Sequence, residues 1–248
     1  MGGSRLMKRV ARHRTSIECL PKDLLVDIFA KVASHSSTDL FNLKFCSKTF
    51  LDASQDNYIY QQVSLQKFPF IHWLPITHHQ SSFLDRCKEC GNLESLFRQG
   101  MLQFFSHIQF DQAQGFLTLQ KAAREGHEEA MYVVALILLC GLEEDGLERQ
   151  RKLSQALQYL RFLRMSKCVV RCRTRFQSCL REMWLHNGVI VGGNKFLCDS
   201  TTCEKGWRIK RGRWELLDDE DDENDVNMCE YCRWDYELKF FYGRLNVH

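Results

Sequence analysis

A chain of 248 residues with 44% hydrophobic content can bury one sizeable core or two small ones, which excludes an intrinsically disordered protein. A formal net charge of +3 is too small to demand a polyanionic partner, and the longest apolar run, Met131 to Leu142, is too short to span a bilayer. Met1 to Arg14 lacks the continuous apolar core of a secretory signal, so the twelve cysteines are expected to be reduced thiols or metal ligands of a cytoplasmic or nuclear protein.

In chain order, residues 1–16 carry Arg5, Lys8, Arg9, Arg12 and Arg14 with little apolar content. They are expected to form a mobile, solvated tail, with a nuclear-import signal as the alternative. Leu24, Leu25, Ile28, Phe29 and Val32 then draw an apolar stripe along a helix opened by Pro21 and ending around His35 to Ser37. Thr38 or Asp39 can cap a second helix with Leu40, Leu43 and Cys46, and Asp56 a later one with Ile59 and Val63. So short a cluster hides only a modest fraction of its apolar surface, so a partner is expected to cover the rest. An ordinary core-forming helical hairpin is the alternative.

Within residues 17–65, the order Leu20-Pro21, Leu24-Leu25, Ile28, Asp39-Leu40, Leu43 and Lys48-Thr49-Phe50 resembles the F-box. Phe50 stands where many F-boxes have tryptophan, and Tyr58-Ile59-Tyr60 replaces the usual Leu-Trp pair. The resemblance implies docking on a Skp-family adaptor of a cullin-RING ubiquitin ligase through Leu20, Pro21, Leu24, Leu25, Ile28, Leu40 and Leu43.

Residues 66–82 hold Pro69 and Pro75, which forbid a continuous helix and mark a connector. Its His72, His78 and His79 have no cysteine or carboxylate at a matching spacing and read as polar connector residues. Sliding the sequence on itself by 35 residues lays Gly91 on Gly126, Glu94 on Glu129, Phe97 on Tyr132 and Gly100 on Ala135, an internal repeat of helix, glycine turn, helix. The stretch Lys121 to Tyr132 resembles a Sel-type repeat, a relative of the tetratricopeptide repeats. A third hairpin is expected near Leu153, with Ala156, Leu157, Leu160 and Leu163 on its buried face, though its turn lacks the Gly-His pair. Lys167 to His186, amphipathic and bearing Arg171, Arg173, Arg175 and Arg181, reads as the capping helix of an array over residues 83–186, with a nucleic-acid helix as the alternative. Cys87 and Cys90 look like a ligand pair, but Cys87 falls on Ala122 in the repeat and reads as a small packing residue.

From Asn187 glycines and short β-prone runs replace the helical pattern. Cys198-x4-Cys203 and Cys229-x2-Cys232 are two close pairs whose thiolates can meet around zinc, as in a zinc ribbon or knuckle; four free buried cysteines are the alternative. Such a site contributes on the order of 10 kcal/mol to folding a small unit and leaves no open position for catalysis. Between the pairs, Asp218 to Asp225 is almost wholly acidic and is expected as a solvated loop able to fold back on the basic helix.

The expected fold is mainly α: an F-box cluster, stacked helical hairpins, and a Cys-rich, zinc-ribbon-like unit over residues 187–248. The whole order resembles plant F-box proteins of this layout. That resemblance implies a non-catalytic substrate-recognition subunit of an SCF-type ligase, binding a protein substrate through the repeats and the C-terminal unit. A zinc-dependent nucleic-acid binder or a general interaction scaffold is the alternative. No phosphate loop, nucleophile elbow or zinc-protease motif points to an enzyme.

Overall fold

The computed structural model describes residues 17–71, 76–142, 146–186, 197–198, 203 and 229–245. The basic tail, His72, Pro75 and the acidic run lie outside the described residues. The chain divides into two compact units, one ending at Lys67 and one beginning at Phe68.

In the first unit a 3-10 turn, Ile17–Cys19, leads into α1 (Lys22–His35), α2 (Ser37–Cys46), α3 (Lys48–Ala53) and α4 (Asn57–Gln62). Ser36, not Thr38 or Asp39, caps α2 by accepting the Asp39 amide, because it keeps an extended backbone while the residues after it are already helical. Asp56 caps α4 as expected, accepting from the Tyr58 amide at 2.9 Å. The core gathers Leu25, Val26, Phe29, Ala30 and Ala33 of α1 against Leu40, Phe50 and Ile59, with Phe29 and Phe50 packed edge to face at 5.0 Å.

The second unit stacks three hairpins. They are α5 (His78–Glu89) with α6 (Leu93–Phe105), α7 (Gln112–Arg124) with α8 (Glu128–Cys140), and α9 (Leu147–Met165) with α10 (Val169–Arg181). The 35-residue offset carries α6 onto α8 residue for residue. Each hairpin turn is the same object. Gly91 and Gly126 adopt positive φ, and the next residue, Asn92 or His127, accepts an amide three positions on to cap the second helix. Cys87 is fully buried at the position of Ala122, as the repeat alignment requires.

The third turn repeats this geometry out of register. Lys167, 41 residues after Gly126, takes the glycine's place at φ 54°, and Cys168 donates to the Leu163 carbonyl as His127 does to Ala122. The longer spacing hides the match from a fixed-period comparison. So α10 is the second helix of a complete hairpin, not a cap. The closing role falls to α11 (Glu230–Leu245), whose Trp234, Leu238, Phe241 and Tyr242 join the core of the array. Its aromatic face packs against α6 and α10, with Phe241 stacked on Phe176 at 5.1 Å and edge-on to Phe105 at 6.2 Å. The C-terminal residues therefore share the core of the repeats. Among the described residues the only β feature is the isolated bridge of Ser106 with Leu185.

Two carboxylates lock the second helices together. Glu94 of α6 accepts from Arg98 at 2.7 Å, from Arg175 of α10 at 2.8 Å and from His127 Nε2 at 3.2 Å. The other His127 nitrogen, Nδ1, accepts the Ala130 amide. Glu237 of α11 accepts from the Tyr132 hydroxyl at 2.7 Å and from Arg173 at 2.6 Å. A third tie lies nearer the surface, where Arg171 pairs with Glu128 and Glu129 of α8. Three of the arginines expected on a basic outer face are thus consumed by internal partners. Burial of Glu94 opposes its ionised form, but His127 and Arg98 outweigh it and hold the carboxyl at about 2, below its ordinary value of 4.5.

Two tests follow from this packing. Lys167→Gly relieves a left-handed backbone at a residue with a Cβ and should stabilise by about 1 kcal/mol, raising the melting temperature by about 2 to 4 °C. Glu94→Gln should destabilise by about 3 kcal/mol at pH 7. The native state binds fewer protons at Glu94 than the unfolded chain does, so that contribution is complete above about 4.5 and is lost as pH falls toward about 2. Urea titrations of both proteins between pH 7 and pH 3 should show the gap narrowing below pH 4.5.

Candidate functional site

Two features stand apart from ordinary packing: an exposed apolar ridge on the first unit and a cysteine centre on the second. The ridge follows from helical geometry. Successive helix residues point about 100° apart, so Leu24 and Leu25 cannot both face the same way. Leu25 turns into the core at 1% exposure, while Leu24 at 49% and Ile28 at 36% face outward. Leu20, four residues before Leu24, extends the outward row, and Pro21 beside it is exposed.

The residues expected to dock on an adaptor are therefore divided. Leu20, Pro21, Leu24 and Ile28 are outward, and Leu43 is half-buried. Leu25 and Leu40, by contrast, are sealed in the unit's own core. Phe45, Leu51 and Tyr58 add exposed apolar surface that the sequence reading left aside. Lys22 and Asp52 pair at 3.2 Å, which joins the start of α1 to α3.

All four C-terminal cysteines come together. The sulfur atoms of Cys198, Cys203, Cys229 and Cys232 lie within 4.8 Å of one another. Cys229 to Cys198 measures 3.7 Å and Cys203 to Cys232 3.1 Å. A tetrahedral zinc with sulfur ligands at about 2.3 Å holds sulfurs roughly 3.8 Å apart, so the cluster is compatible with that ion. Cys232 donates its backbone amide to the Cys229 sulfur at 3.3 Å, which fixes the first turn of α11 around the centre. Burial, followed by hydrogen bonds from the neighbouring thiols, pushes the Cys232 thiol well above its ordinary range. A divalent cation reverses that balance by stabilising thiolate.

Asp235 sets the first pair. Its carboxylate accepts from the Leu197 amide at 2.6 Å and the Cys198 amide at 3.1 Å, and so ties these two residues to α11. Sequence reading missed both Asp235 and Glu237, and missed α11 itself. The signal was present: Trp234, Leu238, Phe241, Tyr242 and Leu245 recur at helical spacing, with two carboxylates set among them. A carboxylate that near an apolar stripe is buried only with a partner.

This is the architecture of a stacked helical-hairpin protein with a separate N-terminal helical cluster. Residues 65–181 match the family model of plant tetratrico peptide repeats. The chain is 29% identical over 238 residues to the F-box protein At1g67623 of Arabidopsis thaliana, covering 92% of this chain and 77% of that protein. It is 26% identical over 129 residues to the F-box protein At1g67340 of the same plant, covering 50% of this chain and 33% of that one. No solved structure matches. The likeness to plant F-box proteins with helical repeats, read from the motifs, is therefore borne out. None of the described helices is long and apolar enough to cross a membrane.

Proposed function

We propose that the protein is a non-catalytic substrate-recognition subunit of an SCF-type cullin-RING ubiquitin ligase, acting in the cytoplasm or nucleus. The observation that carries this reading is the outward row of Leu20, Leu24 and Ile28 on a small helical unit whose relatives are named F-box proteins. A Skp-family adaptor covers that row, with Pro21 and Leu43 at its margins, while Leu25 and Leu40 hold the helices that present it. The hairpin array, closed by α11, receives the protein substrate. The nucleic-acid alternative loses its main support, because Arg171, Arg173 and Arg175 are spent on Glu128, Glu237 and Glu94.

The cysteine centre, in this reading, is a structural zinc site of Cys198, Cys203, Cys229 and Cys232. Four thiolates complete a tetrahedral shell, so the ion's part is to clasp the segment around Cys198 to the first turn of α11.

Burying an exposed Leu or Ile at an interface contributes about 1.5 to 3 kcal/mol at most, so Leu24→Asp with Ile28→Asp should weaken adaptor binding at least a hundredfold. Both positions are outward, so helicity measured by circular dichroism should stay unchanged, whereas Leu25→Asp should unfold the unit. Retained co-purification of the double variant with a Skp-family adaptor would remove the ligase reading. Emission spectrometry of protein purified without added metal should find about one zinc per chain, and Cys229→Ser with Cys232→Ser should abolish it. Chelation should lower the melting temperature of the wild type and leave the double variant unmoved.

A further inference from the structure

Helix α11 closes the array on one side, against α6, α8 and α10. The first helices of the second and third hairpins, α7 and α9, frame a cleft of about 570 Å³. Ala123 and Met131 line it, together with the two arginines Arg124 and Arg151. The remaining lining groups, Ser154, Gln155, Gln158 and Tyr159, are neutral and can donate hydrogen bonds; among the described residues no carboxylate lines the cleft.

The placement follows from the helix. Ala156, Leu160 and Leu163 turn α9 into the core, so residues 151, 154, 155 and 158, at helical spacing on the opposite side, face outward together. The charges there are also uncommitted. Arg98, Arg161, Arg171, Arg173 and Arg175 each hold a carboxylate of this chain. Among the described residues none pairs with Arg124. Arg151 meets Glu148 at 3.7 Å on an exposed helix face, a contact worth little and readily exchanged.

We propose that this cleft binds an acidic segment of a partner protein, an extended peptide whose aspartate or glutamate side chains are held between Arg124 and Arg151 and oriented by the amides of Gln155 and Gln158. A guanidinium takes a carboxylate through two parallel hydrogen bonds, so a pair of arginines across a groove selects carboxylate-rich chain over neutral chain. The proposal rests on the substrate-receptor reading and names the chemical class of its substrate, an acidic peptide. It concerns the array alone and can be tested without the adaptor.

The probe is a fluorescein-labelled dodecapeptide containing four consecutive glutamates flanked by glycine and serine, with an amidated C-terminus so that only side-chain carboxylates act. Fluorescence anisotropy against the full chain should show saturable binding that weakens as sodium chloride rises. The same peptide with glutamine in place of glutamate should not bind. Arg124→Glu with Arg151→Glu should weaken binding at least tenfold, while the equal charge change Lys48→Glu with Lys88→Glu should leave it within twofold. Equal loss in both double variants would reduce the effect to net charge and overturn the proposal, as would tighter binding of a labelled single-stranded oligonucleotide through the same two arginines. Absence of peptide binding beside intact adaptor co-purification would overturn the cleft assignment alone. Peptide binding without adaptor binding would uphold the cleft and remove the ligase reading.

Discussion

Glu237 sits at 2% exposure, and it can do so only because the Tyr132 hydroxyl and the Arg173 guanidinium reach it from two other helices. Removing one partner from a buried pair costs about 3 to 5 kcal/mol, far more than a slipped helix could recover through altered apolar contact. The last helix therefore has one register. Around that register Phe176 stacks on Phe241 while Phe105 meets both edge-on to close the core, and the first turn of α11 arrives where Cys229 and Cys232 face Cys198 and Cys203. Burial raises the Tyr132 hydroxyl far above its ordinary value, with Glu237 adding to the effect, so the group stays a donor through the range where an exposed tyrosine would ionise.

The same economy of charge shapes the surface. Arginines on α6 and α10 are drawn inward to glutamates, which converts a sequence that looks basic into an interior lattice of paired groups. Among the described residues what stays uncovered is an apolar row on the N-terminal unit, and a cleft between α7 and α9 with no carboxylate in its lining. The proposed apolar and ionic docking surfaces therefore lie on separate units. An interface built on leucine and isoleucine is largely indifferent to salt, and one built on exposed arginines is not.

Much of the fold was legible because its cues are local. Gly91 and Gly126 announce the turns, since a positive φ at a hairpin corner favours a residue without a Cβ, and the apolar spacing between them sets the helices. The third turn escaped because Lys167 occupies the same backbone conformation six residues later than the period predicts. The outward face of α1 was legible as a stripe but not as a direction: Leu24 and Leu25 are equally apolar, and only the packing of α1 against Phe50 and Ile59 decides which one looks outward. The four cysteines were legible from their paired spacing, whereas Asp235, which anchors Cys198 from 37 residues away, offered no local sign of that duty.

By itself the sequence determined what depends on neighbours a few residues apart: helix starts and stops, the 35-residue hairpin repeat, the paired cysteines and the presence of an uncovered apolar helix. The tertiary structure alone decided which charges were available. Arg124 and Arg175 are the same residue type on similar amphipathic helices, yet one faces a cleft and the other closes on Glu94, 81 residues away. The physical reason is that backbone preference acts through short-range sterics written in adjacent residues, while a buried ion pair exists only when the folded chain brings its two halves together and removes the water between them.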